Sequence, residues 1–347
     1  MVEQAGLQWT FADLHAINMH PPQDTILHLP CELVSSIFLT VVQSYGTSLP
    51  SEFIPTIRFS QVCQLWREFV FSNPSLWTTL RLKGTGLSLY SDTRLPQENI
   101  YYIPDGDTIL LTPDVLQRDC GALSLFLQRS NDLPLKLLVD RGYPYGPSLA
   151  NSEYGESLRE TLIPALHKFI TRCDTLYLRI AHEEIPWQET VPILSSAINE
   201  AVNLRTLKIG EGWMERSEPE AALFNRLETL QSSDYKILFD ICDLRAVNLR
   251  RLEVRDDVRW DYALDALRSC PSLRRLSLFS VRGSGSVQSS PPSMVPLPHL
   301  NHLSLVFQDN EGSAKTPSKL LEFVEARALA SLNVKIAFQQ QEGDPEY

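Results

Sequence analysis

Among residues whose types could do bond chemistry, His182-Glu183-Glu184 comes nearest to a constellation. An imidazole beside two carboxylates could move protons or hold a metal. The cluster lacks the second histidine of an H-E-x-x-H site and follows directly on a strand pattern, so a solvated turn is the simpler reading. The chain contains no G-x-G-x-x-G, no G-x-x-x-x-G-K-[ST] and no G-x-S-x-G. Six cysteines (31, 63, 120, 173, 242 and 270) are scattered, with no C-x-x-C and no Cys/His group at zinc spacing. Buried free thiols in a reducing compartment are expected. No enzymatic activity, cofactor or metal is expected. What remains is recognition by charge. Arg251, Arg255 and Arg275 recur in related positions, and guanidinium forks match carboxylate and phosphate geometry.

Those arginines sit inside an internal repeat. The phrase L-x-x-L-x-L, or a close variant, begins at Leu204, Leu249, Leu273 and Leu300. A weaker copy begins at Leu227, and Cys173 opens another with cysteine in the first slot. Successive copies start 31, 23, 22, 24 and 27 residues apart. Earlier strands are expected at Trp77 to Leu82 and from Leu133 to Val139, where apolar and polar residues alternate. Ala330 to Phe338 is expected to close the series as an edge strand.

Helical stretches lie between the strands. Thr112-Pro113-Asp114 starts one that ends near Arg129. Others are marked by Leu158 to Ile170 (interrupted by Pro164), by Leu194 to Val202, by Ile237 to Ile241 and by Ala263 to Leu267. Thr316-Pro317 starts a last one through Leu320, Leu321 and Val324.

Alternate strand residues face opposite sides. With the leucines in the core, one lateral row on the other face is Thr175, Thr206, Thr229, Arg251, Arg275 and His302. The next is Tyr177, Lys208, Gln231, Glu253, Ser277 and Ser304, and a third holds Arg179, Gly210, Arg255 and Phe279. Arg251 and Arg275 are then neighbours in an acidic chain, which costs stability unless something pairs with them. Either an acidic or phosphorylated client segment meets Arg251, Arg255 and Arg275, or Glu253, Asp256 and Asp257 neutralise them in place. Trp213 and Trp260 follow strands in loops near the same rim; packing against a return helix is the simpler reading of each.

Leu29 to Trp77 has a different character. Leu33, Val34, Ile37, Phe38 and Val41 recur at helical spacing after Pro30. After a polar break from Gln43 to Pro55, the residues Phe59, Val62, Cys63, Trp66, Phe69 and Val70 form a second helical stripe, ended by Asn73-Pro74. So much apolar surface on two short helices needs the rest of the chain or a partner to cover it.

The net charge of −11 and pI near 5.2 argue against nucleic acid or an anionic membrane as the main target. No stretch of 18 apolar residues is present and residues 1–25 carry no secretory pattern, so cytoplasm, nucleus or both are expected. Residues 1–25 read as a lead-in, Lys83 to Asp107 as a long loop, 282–298 as a Ser/Pro/Gly-rich insertion and 339–347 as a polar acidic tail.

Two resemblances follow from these residues. Leu29-Pro30, Glu32-Leu33, Ile37-Phe38 and Val62-Cys63 three residues before Trp66 resemble an F-box, and Asn73 to Trp77 resembles the ending common in F-box-like proteins of mushroom-forming fungi. The resemblance covers about 50 of the 347 residues. It implies docking of Leu29, Pro30, Leu33, Ile37, Val62, Cys63 and Trp66 onto the Skp-type adaptor of a Skp–cullin–F-box ubiquitin ligase. The inter-helix segment is longer and more polar than that family's usual turn. The repeat period resembles leucine-rich repeats, although the asparagine that usually follows the third leucine is absent, so the turns must satisfy their backbone another way.

The expected fold is α/β: a helical F-box-like module over 26–75, then an irregular leucine-rich-repeat-like solenoid of parallel strands and return helices over 76–338. The expected function is substrate receptor of the ligase, with an unknown client protein on the concave face. The alternative is a free-standing repeat scaffold, in which the module only caps the first strand.

Overall fold

The computed structural model describes residues 29–44, 54–83, 113–141, 158–180, 187–210, 221–256, 258–282, 294–309, 321–322 and 324–338. The expected lead-in, the acidic tail, His182 to Glu184, Trp213, Asp257 and most of the polar break, the long loop and the insertion lie outside them.

Three helices come first: α1 (Cys31–Ser44), α2 (Pro55–Phe59) and α3 (Gln64–Ser72). A 3₁₀ turn, Pro74–Trp77, leads into β1 (Thr79–Lys83). Strands and helices then alternate: α4 (Pro113–Arg129), β2 (Leu135–Arg141), α5 (Ile163–Ile170), β3 (Cys173–Ile180), α6 (Trp187–Glu200), β4 (Thr206–Ile209), α7 (Ala221–Arg226) and β5 (Thr229–Ser232). Next come α8 (Ile237–Leu244), β6 (Arg251–Val254), the two-residue β7 (Val258–Arg259), α9 (Trp260–Arg268) and β8 (Arg275–Arg282). The last strands are β9 (Val295–Pro296), β10 (His302–Asp309), β11 (Val324–Glu325) and β12 (Ser331–Phe338).

The chain is α/β with a parallel sheet whose strands stand in sequence order: β1, β2, β3, β4, β5, β6, β8, β10, β12. From β1 to β8 a helix lies between consecutive strands of this order and carries the chain back to the starting end, which is what a parallel pair requires. The repeat phrase sets the register. Leu176, Leu207, Leu230, Leu252, Leu276 and Leu303 lie side by side and are all buried. The first-slot residues Cys173, Leu204, Leu227, Leu249, Leu273 and Leu300 are wholly buried.

Where an asparagine ladder was missing, main-chain bonds do the work. At the strand exits, Gly210, Ser233 and Arg255 donate their N–H groups to the carbonyls of Leu178, Ile209 and Ser232 at 2.8–3.1 Å. At the entrances, one carbonyl accepts from two successive N–H groups of the next strand. Arg205 serves Glu228 and Thr229, Glu228 serves Arg250 and Arg251, and Arg250 serves Arg274 and Arg275.

Several boundaries differ from expectation. The stripe from Phe59 to Val70 is two helices: Cys63 is extended (φ −156°, ψ 172°), so Val62 and Cys63 lie in the turn between them. Trp77 belongs to the 3₁₀ turn, not the first strand, and Leu133 precedes β2 and is exposed. Val202 lies beyond α6 and is exposed. Val324 lies in β11 rather than a helix, and Trp260 begins α9 and is buried, as the packing reading has it. The insertion also ends earlier than its composition suggests: Val295 and Leu297 are fully buried, and β9 pairs with β11. Only Cys173 and Cys270 are buried; Cys31 and Cys63 are exposed. All six cysteines are free thiols. Burial raises the Cys173 thiol well above its ordinary range and Cys270 to about 12.

On α8, burial raises Asp240 to about 6, with Asp243 and Asp234 adding repulsion. Its folded value lies above the unfolded one. The stabilising contribution is therefore complete below the ordinary aspartate value near ~4 and is lost as pH rises through about 6. Asp240→Asn is expected to raise the melting temperature at neutral pH and to flatten its decline between those limits. The group is half exposed, so the gain is no more than about 1 kcal/mol. Melting curves across that window check it.

Among the described residues no helix is long and apolar enough to cross a membrane.

Candidate functional site

Two surfaces stand out, one apolar and one basic. The apolar one is built on α1 to α3. Phe38 and Val42 point inward and are buried, with Val34, Leu39 and Val41 half-buried. An aromatic cluster locks the three helices together. Phe38 stacks on Phe59 at 4.4 Å, tilts against Trp66 at 4.8 Å and meets Phe69 edge-on at 5.5 Å. Asn73 Nδ2 donates to Ser35 Oγ at 2.8 Å, tying the end of α3 to α1.

Trp77 joins this module to the sheet. It is fully buried, donates its indole N–H to the Val70 carbonyl at 2.8 Å, and meets Phe126 of α4 edge-on at 5.2 Å. Thr56 Oγ1 donates to the Leu76 carbonyl at 2.9 Å, and the Arg129 guanidinium lies 4.5 Å from the centre of the Phe71 ring.

The remaining apolar residues of the module face out. Leu33 is 51% exposed and Ile37, one turn on, 49%. Val62 is 60% exposed, with Cys63 beside it also open and Leu65 exposed. Leu29 and Pro30 are exposed as well. Of the seven residues expected to face an adaptor, six are thus open to solvent. Trp66 differs: it is half-buried in the aromatic cluster and supports the face. Leu65 belongs to the same surface and was missed. Its signal was its place three residues after Val62. Of thirteen large apolar side chains that stand exposed among the described residues, five lie between Leu29 and Leu65.

The basic surface is the open face of the sheet. The pairing reproduces the first two expected rows, with Arg251 directly beside Arg275, and Lys208, Gln231, Glu253 and Ser277 in the adjacent row; Gly210 and Arg255 of the third lie just beyond their strands. Glu253, which alternation alone would leave in water, is buried, because Arg251 on the same strand and Arg255 just past its end both close over it. Arg251 donates to Glu253 Oε2 at 3.2 Å, and Arg255 Nε donates to Oε1 at 2.8 Å. Arg255 also lies 5.5 Å from the centre of the Phe279 ring, a cation–π distance. Asp256 accepts the Tyr235 backbone N–H at 3.1 Å.

One carboxylate thus serves two guanidinium groups. Arg275 is exposed, and no carboxylate among the described residues lies within ion-pair distance of it. Lys208 is lowered from its ordinary value by burial first, then by Arg251 and Arg255, while Glu253 acts the other way. Four cations facing one anion can take up an anion. Arg251→Ala/Arg275→Ala is expected to weaken binding of a labelled poly-glutamate peptide about tenfold or more. The fold should survive, because Arg255 still holds Glu253. Fluorescence anisotropy with a parallel melting curve checks both, and unchanged affinity contradicts an anion-binding role.

Among the described residues no group of three or more His, Cys, Asp or Glu is placed to hold a metal ion. No protein-family model matches the chain, and no curated protein matches it significantly.

Proposed function

We propose that this chain is a substrate receptor of a Skp–cullin–F-box ubiquitin ligase: an F-box-like module followed by an irregular leucine-rich-repeat-like solenoid. The module docks a Skp-type adaptor through Leu29, Pro30, Leu33, Ile37, Val62 and Cys63, with Trp66 and its aromatic neighbours holding them in place. The open sheet face receives a client protein through Arg251, Arg255 and Arg275. The receptor performs no bond chemistry. It raises the local concentration of client lysines near a bound ubiquitin carrier.

What carries the reading is the outward apolar set on α1 to α3, in a module whose inner face is already packed. The test is co-purification with a Skp-type adaptor, wild type beside Leu33→Asp/Ile37→Asp. A complex formed by the wild type and lost in the variant supports the reading. A well-folded wild type that forms no complex leaves a repeat scaffold with no ligase connection.

A further inference from the structure

The last strand differs from every strand before it. In β12, Leu332 and Val334 are in register with Leu303 and Leu305 of β10. Those β10 residues are 1% and 0% exposed, whereas Leu332 is 51% and Val334 39% exposed. Among the described residues β12 has a paired neighbour on one side only. An eight-residue edge with apolar residues at its core-side positions is a template for another strand.

The direction of its backbone groups can be read from the ladder. Arg251 at the start of β6 and Arg255 just past its end send their N–H groups back to the carbonyls of Glu228 and Ser232 on the preceding side, and Ser331 does the same to Asn301. Backbone groups alternate along a strand, so Leu332, Val334 and Ile336 turn theirs to the open edge. The core-side positions are therefore the ones free to pair.

We propose that β12 is a dimer edge, pairing antiparallel with β12 of a second copy of this chain about a two-fold axis at Val334. This register sets Leu332 opposite Ile336 of the copy and Val334 opposite itself, so apolar positions meet apolar positions. It also uses nearly the whole strand. Centring on Lys335 instead would place two ammonium groups directly opposite each other, which is destabilising. With Val334 at the axis, Lys335 falls opposite Asn333. The sequence is thus self-complementary in this register, as an isologous contact requires.

Sedimentation of the full chain over a wide concentration range tests this. The wild type is expected at twice 39.3 kDa, and Val334→Pro at 39.3 kDa. Proline at 334 deletes only an edge-facing N–H and leaves the bonds to β10 intact, so the melting temperature should hold. Val334→Lys, which sets two charges against each other, serves if the proline variant folds poorly. Leu33→Asp/Ile37→Asp should remain dimeric, which separates this edge from the helical module. A wild type that stays at 39.3 kDa throughout overturns the proposal, as does a doubled mass that survives both changes at Val334.

Discussion

Trp77→Ala is expected to cost about 3–5 kcal/mol, the range for deleting a large aromatic side chain from a packed interior. Whole domains are stable by only about 5–15 kcal/mol, so much of the margin disappears. Three effects add at this site. The indole is wholly buried and its removal leaves a cavity. The edge-on contact with Phe126 at 5.2 Å and the contact with Phe71 are lost. The buried Val70 carbonyl, which accepts the indole N–H, loses that donor at the C-terminal end of α3. Trp77→Phe separates the terms: it keeps ring packing and loses the hydrogen bond, so it should cost less than half as much. Denaturant melts of both variants check the order. A Trp77→Ala protein as stable as the wild type would mean that the module is not anchored through this side chain.

The second large effect is on binding, not stability. Leu33→Asp/Ile37→Asp should abolish capture of a Skp-type adaptor, because two charges would enter the centre of an apolar contact without partners. Both side chains are about half exposed in the free protein, so the melting temperature should barely move. Trp66→Ala makes a poorer test. Trp66 touches Phe38 and Phe59, so its loss would disturb the module and weaken docking for structural reasons.

Much of the sheet was legible because the signal was redundant. Each L-x-x-L-x-L copy carries its own alternation, and the copies agree with one another, so register follows without knowledge of the turns. The basic rows came from the same alternation, and the pairing of Arg251 with Arg275 is as expected. Failures came where helical phase was read as one continuous helix. Val62 and Cys63 fall in phase with Phe59 and Trp66, yet they sit in the turn between two helices. Elsewhere, the Ser/Pro-rich composition around Val295 and Leu297 hid two fully buried residues, because their partners lie far along the chain. The burial of Glu253 depends on two neighbours, each two residues away along the chain, folding over it. The spacing Arg251-x-Glu253-x-Arg255 contains that information, but only once a strand is assumed. The edge position of β12 was legible as the close of the series, but the exposure of Leu332 and Val334 was not, since their apolar alternation looks like that of the buried strands.

Hydrogen exchange on the full chain, with and without a purified Skp-type adaptor, tests the central claim most directly. Adaptor docking on the outward apolar set predicts new protection in peptides spanning Cys31 to Val42 and Ser60 to Trp66, with β4 to β8 unchanged. No change on adding adaptor, or protection confined to the sheet face, would contradict it.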